Sequence, residues 1–186
     1  LLDFSQKHNI KIGTIADLIN YRILNEKTVE KVEQKSVKTE YGKFNLILYK
    51  DLIFDETHLV LQKGKISKNS PTLVRVQQSN FFHDLLNINE FGARWSVLDS
   101  MRKINEVGKG IIILIDGENQ KQDEFNEINA SKKKRITAPN NDPRRIGIGS
   151  QILRDLGVKK IKLMGSEVRY PSLSGFDLEV TEYIKK

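Results

Sequence analysis

Residues Gly110 to Gly117, GIIILIDG, place an unbroken apolar run between two glycines. Successive side chains of a strand point to opposite faces, so a run without polar alternation is stable only if both faces are covered. The run therefore predicts a central strand ending at Asp116, in a sheet packed on both sides. At 186 residues the chain can bury one such core with an appendage, but not two full domains.

The rest of the pattern fills in around that strand. TIADLINYRILNEK predicts a helix from Thr14, its N-cap, with Ile15, Leu18, Ile19, Ile23 and Leu24 on one face. Beyond Asn25 only Val29 and Val32 interrupt alternating Glu and Lys, which reads as a solvated helix end or linker, with a domain boundary near Gln34. KTEYGKFNLILYKD reads as a turn at Tyr41–Gly42 and then a strand; HLVLQKG and TLVRVQQ are further strands, and their close succession implies antiparallel pairing. Phe91, Trp95, Leu98 and Met101 are spaced as on a helix ending near Gly108. Gly117 to Asn141 reads as a loop or short helix. Ser150 is expected to cap a helix carrying Ile152, Leu153 and Leu156 and stopped by Gly157, and KKIKLMG and FDLEVTEYI are the last strands. The predicted class is α+β, a mixed sheet with packed helices preceded by a linker helix, without internal repeats.

Composition narrows the chemistry. Hydrophobic residues make up 38% and charged residues 30%, as in an ordinary soluble domain, and no apolar run approaches the roughly 18 residues of a membrane span. The opening LLDFSQKHNIKIG lacks the order of a secretory signal, so a cytoplasmic location is expected. The absence of cysteine excludes disulfides, thiolate nucleophiles and cysteine-ligated zinc. His8, His58 and His83 lack short ligand spacing, so a bound transition metal is not expected. A net charge of +7 favours phosphorylated or other polyanionic partners. The densest basic run, Lys132 to Arg135, has no interleaved aromatics and reads as a solvated loop, so nucleic acid is not an expected partner.

Four segments, in order, resemble the GTP cyclohydrolase II family: TEYG at Thr39–Gly42, PTLVRV at Pro71–Val76, GKGIIILI, and RRIGIGSQILRDLGVKKIKL from Arg144 to Leu163. Upstream, KHNIKIGTIADLINYR at Lys7–Arg22 resembles the last segment of dihydroxybutanone phosphate synthase, a domain fused ahead of GTP cyclohydrolase II in many bacterial riboflavin-pathway proteins. The resemblance implies that Leu1 lies inside a longer protein, with residues 1–34 the synthase tail plus linker helix and 35–186 the GTP cyclohydrolase II-like domain. It further implies an upstream lyase that uses Mg2+ to convert ribulose 5-phosphate to a four-carbon phosphate and formate, and a homodimer.

Family chemistry opens a purine ring with a zinc-activated water. The resemblance places Asn80, Phe91 and Ala93 at the three zinc-binding cysteine positions, and Gln77 and Ser79 where the family carries His and Glu. Glu118 is kept in the phosphate segment, but Asn119 and Gln120 replace its glycine and arginine, and GSEVRY at Gly165–Tyr170 replaces a polar nucleotide loop. Asp142 and Arg144 match the family's acid–base and nucleotide-stabilising pair, and Arg75 matches the arginine of its VRVHSE run. Asp142 and Arg144 are thus the candidate catalytic remnant; Arg75 and Glu118 are the candidate nucleotide contacts. Each also has a structural reading: NNDPRR as turn chemistry before a helix, Arg75 as a strand arginine facing solvent or an acid, and Gly147 and Gly149 as permitting close helix–strand packing. The expectation is a degenerate, zinc-less domain with a structural, dimerising or regulatory role. The alternatives are a hydrolase rebuilt around Asp142, Glu118 and Arg144, or a sensor that binds GTP or another phosphorylated small molecule.

Overall fold

The computed structural model describes residues 1–14, 17–18, 21–22, 25–78, 83–84, 94–116, 143–167 and 171–186. Its helices are α1 (Leu2–His8), α2 (Val97–Val107) and α3 (Pro143–Asp155), with a 3-10 turn at Pro171–Phe176. Its strands are β1 (Val29–Thr39), β2 (Gly42–Asp51), β3 (Thr57–Lys63), β4 (Thr72–Gln78), β5 (Gly110–Ile115), β6 (Lys160–Met164) and β7 (Glu179–Ile184). Among the described residues they form one sheet in the order β1-β2-β3-β5-β4-β6-β7. Pairing is antiparallel from β1 through β3 to β5 and parallel across β5-β4-β6-β7.

The apolar run is the fourth of the seven strands, as its composition requires. Its side chains divide between two cores. Ile111, Ile113 and Ile115 join Val60, Val74, Ile148, Ile152 and Phe176 beneath α3 and the 3-10 turn. Ile112, with Leu114 packed alongside, joins Phe44, Leu73, Met101, Ile104 and Met164 beneath α2. The result is three layers, α3 over sheet over α2. At the start of β5, a Cβ on Gly110 would lie 2.7 Å from Ile104 Cγ1 and 2.9 Å from the Leu73 carbonyl oxygen, so glycine is what lets α2 approach this closely. On the other face, a Cβ on Gly149 would stand 3.2 Å from Val76 Cγ1, consistent with the packing role read for the Gly147–Gly149 pair.

Several expectations change in detail. Where a helix end or linker was expected beyond Asn25, the chain runs as β1, and Gln34, the expected boundary, pairs with Ile47 inside it. β1 is an edge strand with its side chains mostly in solvent, and a strand in that setting needs only ladder hydrogen bonds, so its charged sequence carries no period-2 signal. β4 does not pair with β3. It lies between β5 and β6, where its apolar residues Leu73 and Val74 are buried on opposite faces. The helix expected from Phe91 begins at Val97, capped by Ser96, whose Oγ accepts from the Asp99 amide at 3.1 Å. Trp95 lies ahead of it and donates its indole N–H to the Ile184 carbonyl at 3.0 Å. Helix α3 begins at Pro143 rather than at Ser150, because proline is favoured in the first helical turn. Ser150 is internal, and its hydroxyl donates back to the Ile146 carbonyl at 2.6 Å. Gly157, at φ 79°, ends this helix as expected.

Thr14 does cap a helical turn: its Oγ accepts from the Asp17 amide at 3.0 Å, and Leu18 N–H reaches the Thr14 carbonyl at 3.1 Å. Ile15, Ile19, Ile23 and Leu24 lie outside the described residues, as does the segment expected as a loop or short helix. Further along, Tyr49 on β2 donates to Asp155 at the end of α3, 2.8 Å away, and Lys27 reaches the same carboxylate at 3.0 Å. No helix among the described residues is long and apolar enough to cross a membrane.

Two substitutions test this packing. Gly110→Ala should lower unfolding stability by about 1–3 kcal/mol through overpacking against Ile104, measured as a lower urea midpoint at unchanged slope. Ser96→Ala should cost about 1 kcal/mol through loss of the α2 cap, read in the same titration.

Candidate functional site

Strand alternation brings a polar cluster to one corner of the α3 face. Tyr49 and Asp51 on β2 share that face with His58 on β3, and Tyr49 pairs directly with His58. The Asp51 amide donates to the Glu56 carbonyl at 2.8 Å, closing the β2–β3 connection. Asp51 Oδ1 accepts from the amides of Ile53 (2.8 Å) and Phe54 (3.3 Å), an Asx turn that fixes the carboxylate although the residue is only 2% exposed. Its second oxygen faces the start of α3.

Arg144, in the first turn of α3, enters this corner. Its Nη2 donates to Glu56 Oε2 and stands 3.5 Å from Asp51 Oδ2, while the guanidinium carbon lies 3.5 Å from the centre of the Phe54 ring. The planar cation is thus held by two carboxylates and an aromatic face. The next residue, Arg145, donates to the side-chain oxygen of Gln78 at the end of β4, 2.5 Å away. An open cleft of about 290 Å³ is bordered by Phe54, Glu56, Asp116, Arg144 and Arg145, where β5 ends and α3 begins.

His58 lies beneath the two carboxylates and is fully buried. Its Nδ1 accepts from the Asp116 amide at 3.3 Å, and its Nε2 has no hydrogen-bond partner. Burial holds its pKa below the ordinary value; the Arg144 charge acts in the same direction, while Asp51 and Asp116 oppose it.

Arg75 belongs to a different environment. Alternation along β4 puts it on the face of Leu73, which packs beneath α2, whereas Val74 and Gln78 face α3. Its guanidinium donates to Gln77 Oε1 (2.7 Å), the Met164 carbonyl (2.8 Å) and the Trp95 carbonyl (3.2 Å), tying β4 to β6 and to the lead-in of α2. Gln77 continues the network to Asp84 at 2.9 Å, and Asp84 accepts from the Val97 amide at 3.0 Å.

Of the four residues singled out in the sequence, Arg75 and Arg144 are described and lie on opposite faces of the sheet. Asp142 and Glu118 lie outside the described residues, as do Asn80, Phe91 and Ala93. Sequence reading missed Asp51, Phe54 and Glu56. The available signal was the short span from Asp51 to His58, where three carboxylates, Asp51, Asp55 and Glu56, and an imidazole flank a turn between strands.

The GTP cyclohydrolase II family model matches residues 30–185. The chain is 42% identical over 187 residues to a 3,4-dihydroxy-2-butanone 4-phosphate synthase of Pseudomonas aeruginosa, covering 97% of this chain and 50% of that protein. It is 37% identical over 196 residues to the riboflavin biosynthesis protein RibBA of Aquifex aeolicus, covering 99% of this chain and 48% of that one. A crystal structure of RibBX, a two-domain 3,4-dihydroxy-2-butanone 4-phosphate synthase from A. baumannii, matches with a TM-score of 0.64 at 36% identity, over 98% of this chain and 47% of that one. The chain spans about half the length of the curated relatives it matches. With its mixed seven-stranded sheet, parallel core and family segments in order, the chain belongs to the GTP cyclohydrolase II family.

Proposed function

We propose that this chain is a degenerate GTP cyclohydrolase II-like domain without the family's zinc site. In this reading it acts as a structural, dimerising or regulatory module joined to an upstream, Mg2+-dependent 3,4-dihydroxy-2-butanone 4-phosphate synthase of riboflavin biosynthesis, in the cytoplasm. The observation that carries the reading is the absence of cysteine from the whole chain. A three-thiolate donor set cannot be assembled from Asn80, Phe91 and Ala93, so the family's zinc does not fit its usual positions and no metal-bound hydroxide is assigned there.

The surroundings of Arg144 agree with this reading. An arginine that stabilises a reacting nucleotide must offer its donors to the ligand. Here one donor goes to Glu56, the cation stands beside Asp51, and its flat face is covered by Phe54. Arg144 then serves chiefly to neutralise two carboxylates, one of them buried, at the start of α3. Arg75 has backbone carbonyls and Gln77 as partners, which supports a structural role for it as well.

The cleft beside Phe54, Asp116 and Arg145 supports a second reading, in which the domain senses a nucleotide or other phosphorylated small molecule without transforming it. A ligand that binds only the folded state raises its apparent stability. Thermal unfolding in the presence of GTP distinguishes the two readings: an inert scaffold shows no shift at millimolar nucleotide, and a sensor shows a saturable rise.

The purified chain supplied with Zn2+ and GTP should release no formate and no ring-opened product above the buffer rate; metal-dependent turnover would overturn the degenerate reading. Arg144→Ala should destabilise the fold by about 2 kcal/mol, because it leaves Asp51 buried without its cationic neighbour. Chemical denaturation measures that loss.

A further inference from the structure

The corner formed by Asp51, Glu56 and His58 holds more donor chemistry than the fold requires. One ligand atom from each residue lies within 4.8 Å of the others, although Asp51 and His58 are buried and Glu56 is half-buried. Two acids alone would only make a partner for Arg144. What Arg144 does not account for is the imidazole, which is 0% exposed with Nε2 lacking any hydrogen-bond partner. A buried polar atom left unpaired costs about 1–3 kcal/mol, so a fold that keeps one points to a ligand for it. An imidazole nitrogen beside two carboxylate oxygens is a donor set for a divalent first-row metal ion. From this juxtaposition we propose that Asp51, Glu56 and His58 bind one divalent transition-metal cation, of the zinc or manganese class, at the end of the β2–β3 connection.

The remaining groups around the cluster define how the site works. Asp51 Oδ1 is occupied by two backbone amides, leaving Oδ2 for the ion. Glu56 keeps Oε1 while Oε2 receives Arg144. Three donors bound to one ion at about 2.1 Å in tetrahedral geometry stand about 3.4 Å apart, so closing the set from separations of up to 4.8 Å takes as much as roughly 1.4 Å of side-chain adjustment. Metal on Nε2 requires the ring proton to sit on Nδ1, which exchanges the 3.3 Å contact with the Asp116 amide for donation to a neighbouring acceptor. Donation from Nδ1 to such an acceptor is the usual outer-shell arrangement of a metal-binding histidine. Arg144 is the competitor: it already neutralises part of the carboxylate charge, so it weakens metal binding and confines the site to ions that bind imidazole well. The site is separate from Asn80, Phe91 and Ala93, and its existence does not depend on whether GTP chemistry has been lost.

The test uses the tag-free 186-residue chain, stripped with a chelator and titrated with Zn2+ and with Mn2+, with Mg2+ as the hard-ion control. Calorimetry should give one equivalent of Zn2+, bound at least tenfold more tightly than Mg2+. Zn2+ should shift the ring nitrogen signals of His58 in a nitrogen-15 spectrum ahead of those of His8 and His83, a readout that needs no variant. Glu56→Gln and His58→Gln, each checked for folding by circular dichroism, should weaken Zn2+ binding at least tenfold, and Arg144→Gln should tighten it. The proposal is overturned by the absence of a stoichiometric site at millimolar Zn2+, by shifts confined to His8 or His83, or by binding that is unchanged in both folded ligand variants.

Discussion

The two-sided burial of β5 is the constraint on which the rest of the structure depends. Ile111, Ile113 and Ile115 need a cover on one face and Ile112 with Leu114 on the other, so neither α2 nor α3 can be lost without exposing half of the central strand. Each fully buried isoleucine contributes about 1.5–3 kcal/mol by leaving water, and this drive holds both helices against the sheet. Gly110 follows from the same demand, since the Ile104 side chain of α2 occupies the space a Cβ would need.

Where β5 ends, the hydrophobic layers give way to charge. Asp51, Glu56, His58 and Arg144 stand at the junction of the β2–β3 connection with the first turn of α3, and each is placed by an element whose position is fixed by the core beneath it. The arrangement balances itself: the arginine makes the buried aspartate tolerable, and the aspartate orders the turn that carries Phe54 against the arginine. A residue that resembles a catalytic group in sequence thus also compensates buried charge in the fold.

The sequence revealed the fold better than the site, and particular residues show why. The Ile-rich run, the turn at Tyr41–Gly42 and the stop at Gly157 are local signals that act within a few residues. The placement of β4 between β5 and β6 was not legible, because apolar content shows that a strand is buried without naming its neighbours. Nor was β1, whose edge position lets an exposed Glu- and Lys-rich segment hydrogen-bond as a strand. Ser150 looked like a cap because it precedes an apolar stretch, but the helix had already started at Pro143. At the site, histidine spacing alone concealed the proximity of His58 to two carboxylates. The opposite-face placement of Arg75 and Arg144 likewise follows from register, which the two residue types do not encode.

The sheet's split pairing also bears on how the chain assembles. β1, β2 and β3 are joined by short connections and pair in sequence order, so they can form early at little loop-closure cost. β5 must then dock between β3, an antiparallel neighbour, and β4, a parallel one, and each contact closes a long stretch of chain. Non-local pairing of this kind slows folding. β4 and β6, whose pairing spans a still longer stretch, share this delay, and Gly110–Ile115, as the most apolar strand, has the most apolar surface to keep from water until its neighbours capture it during synthesis.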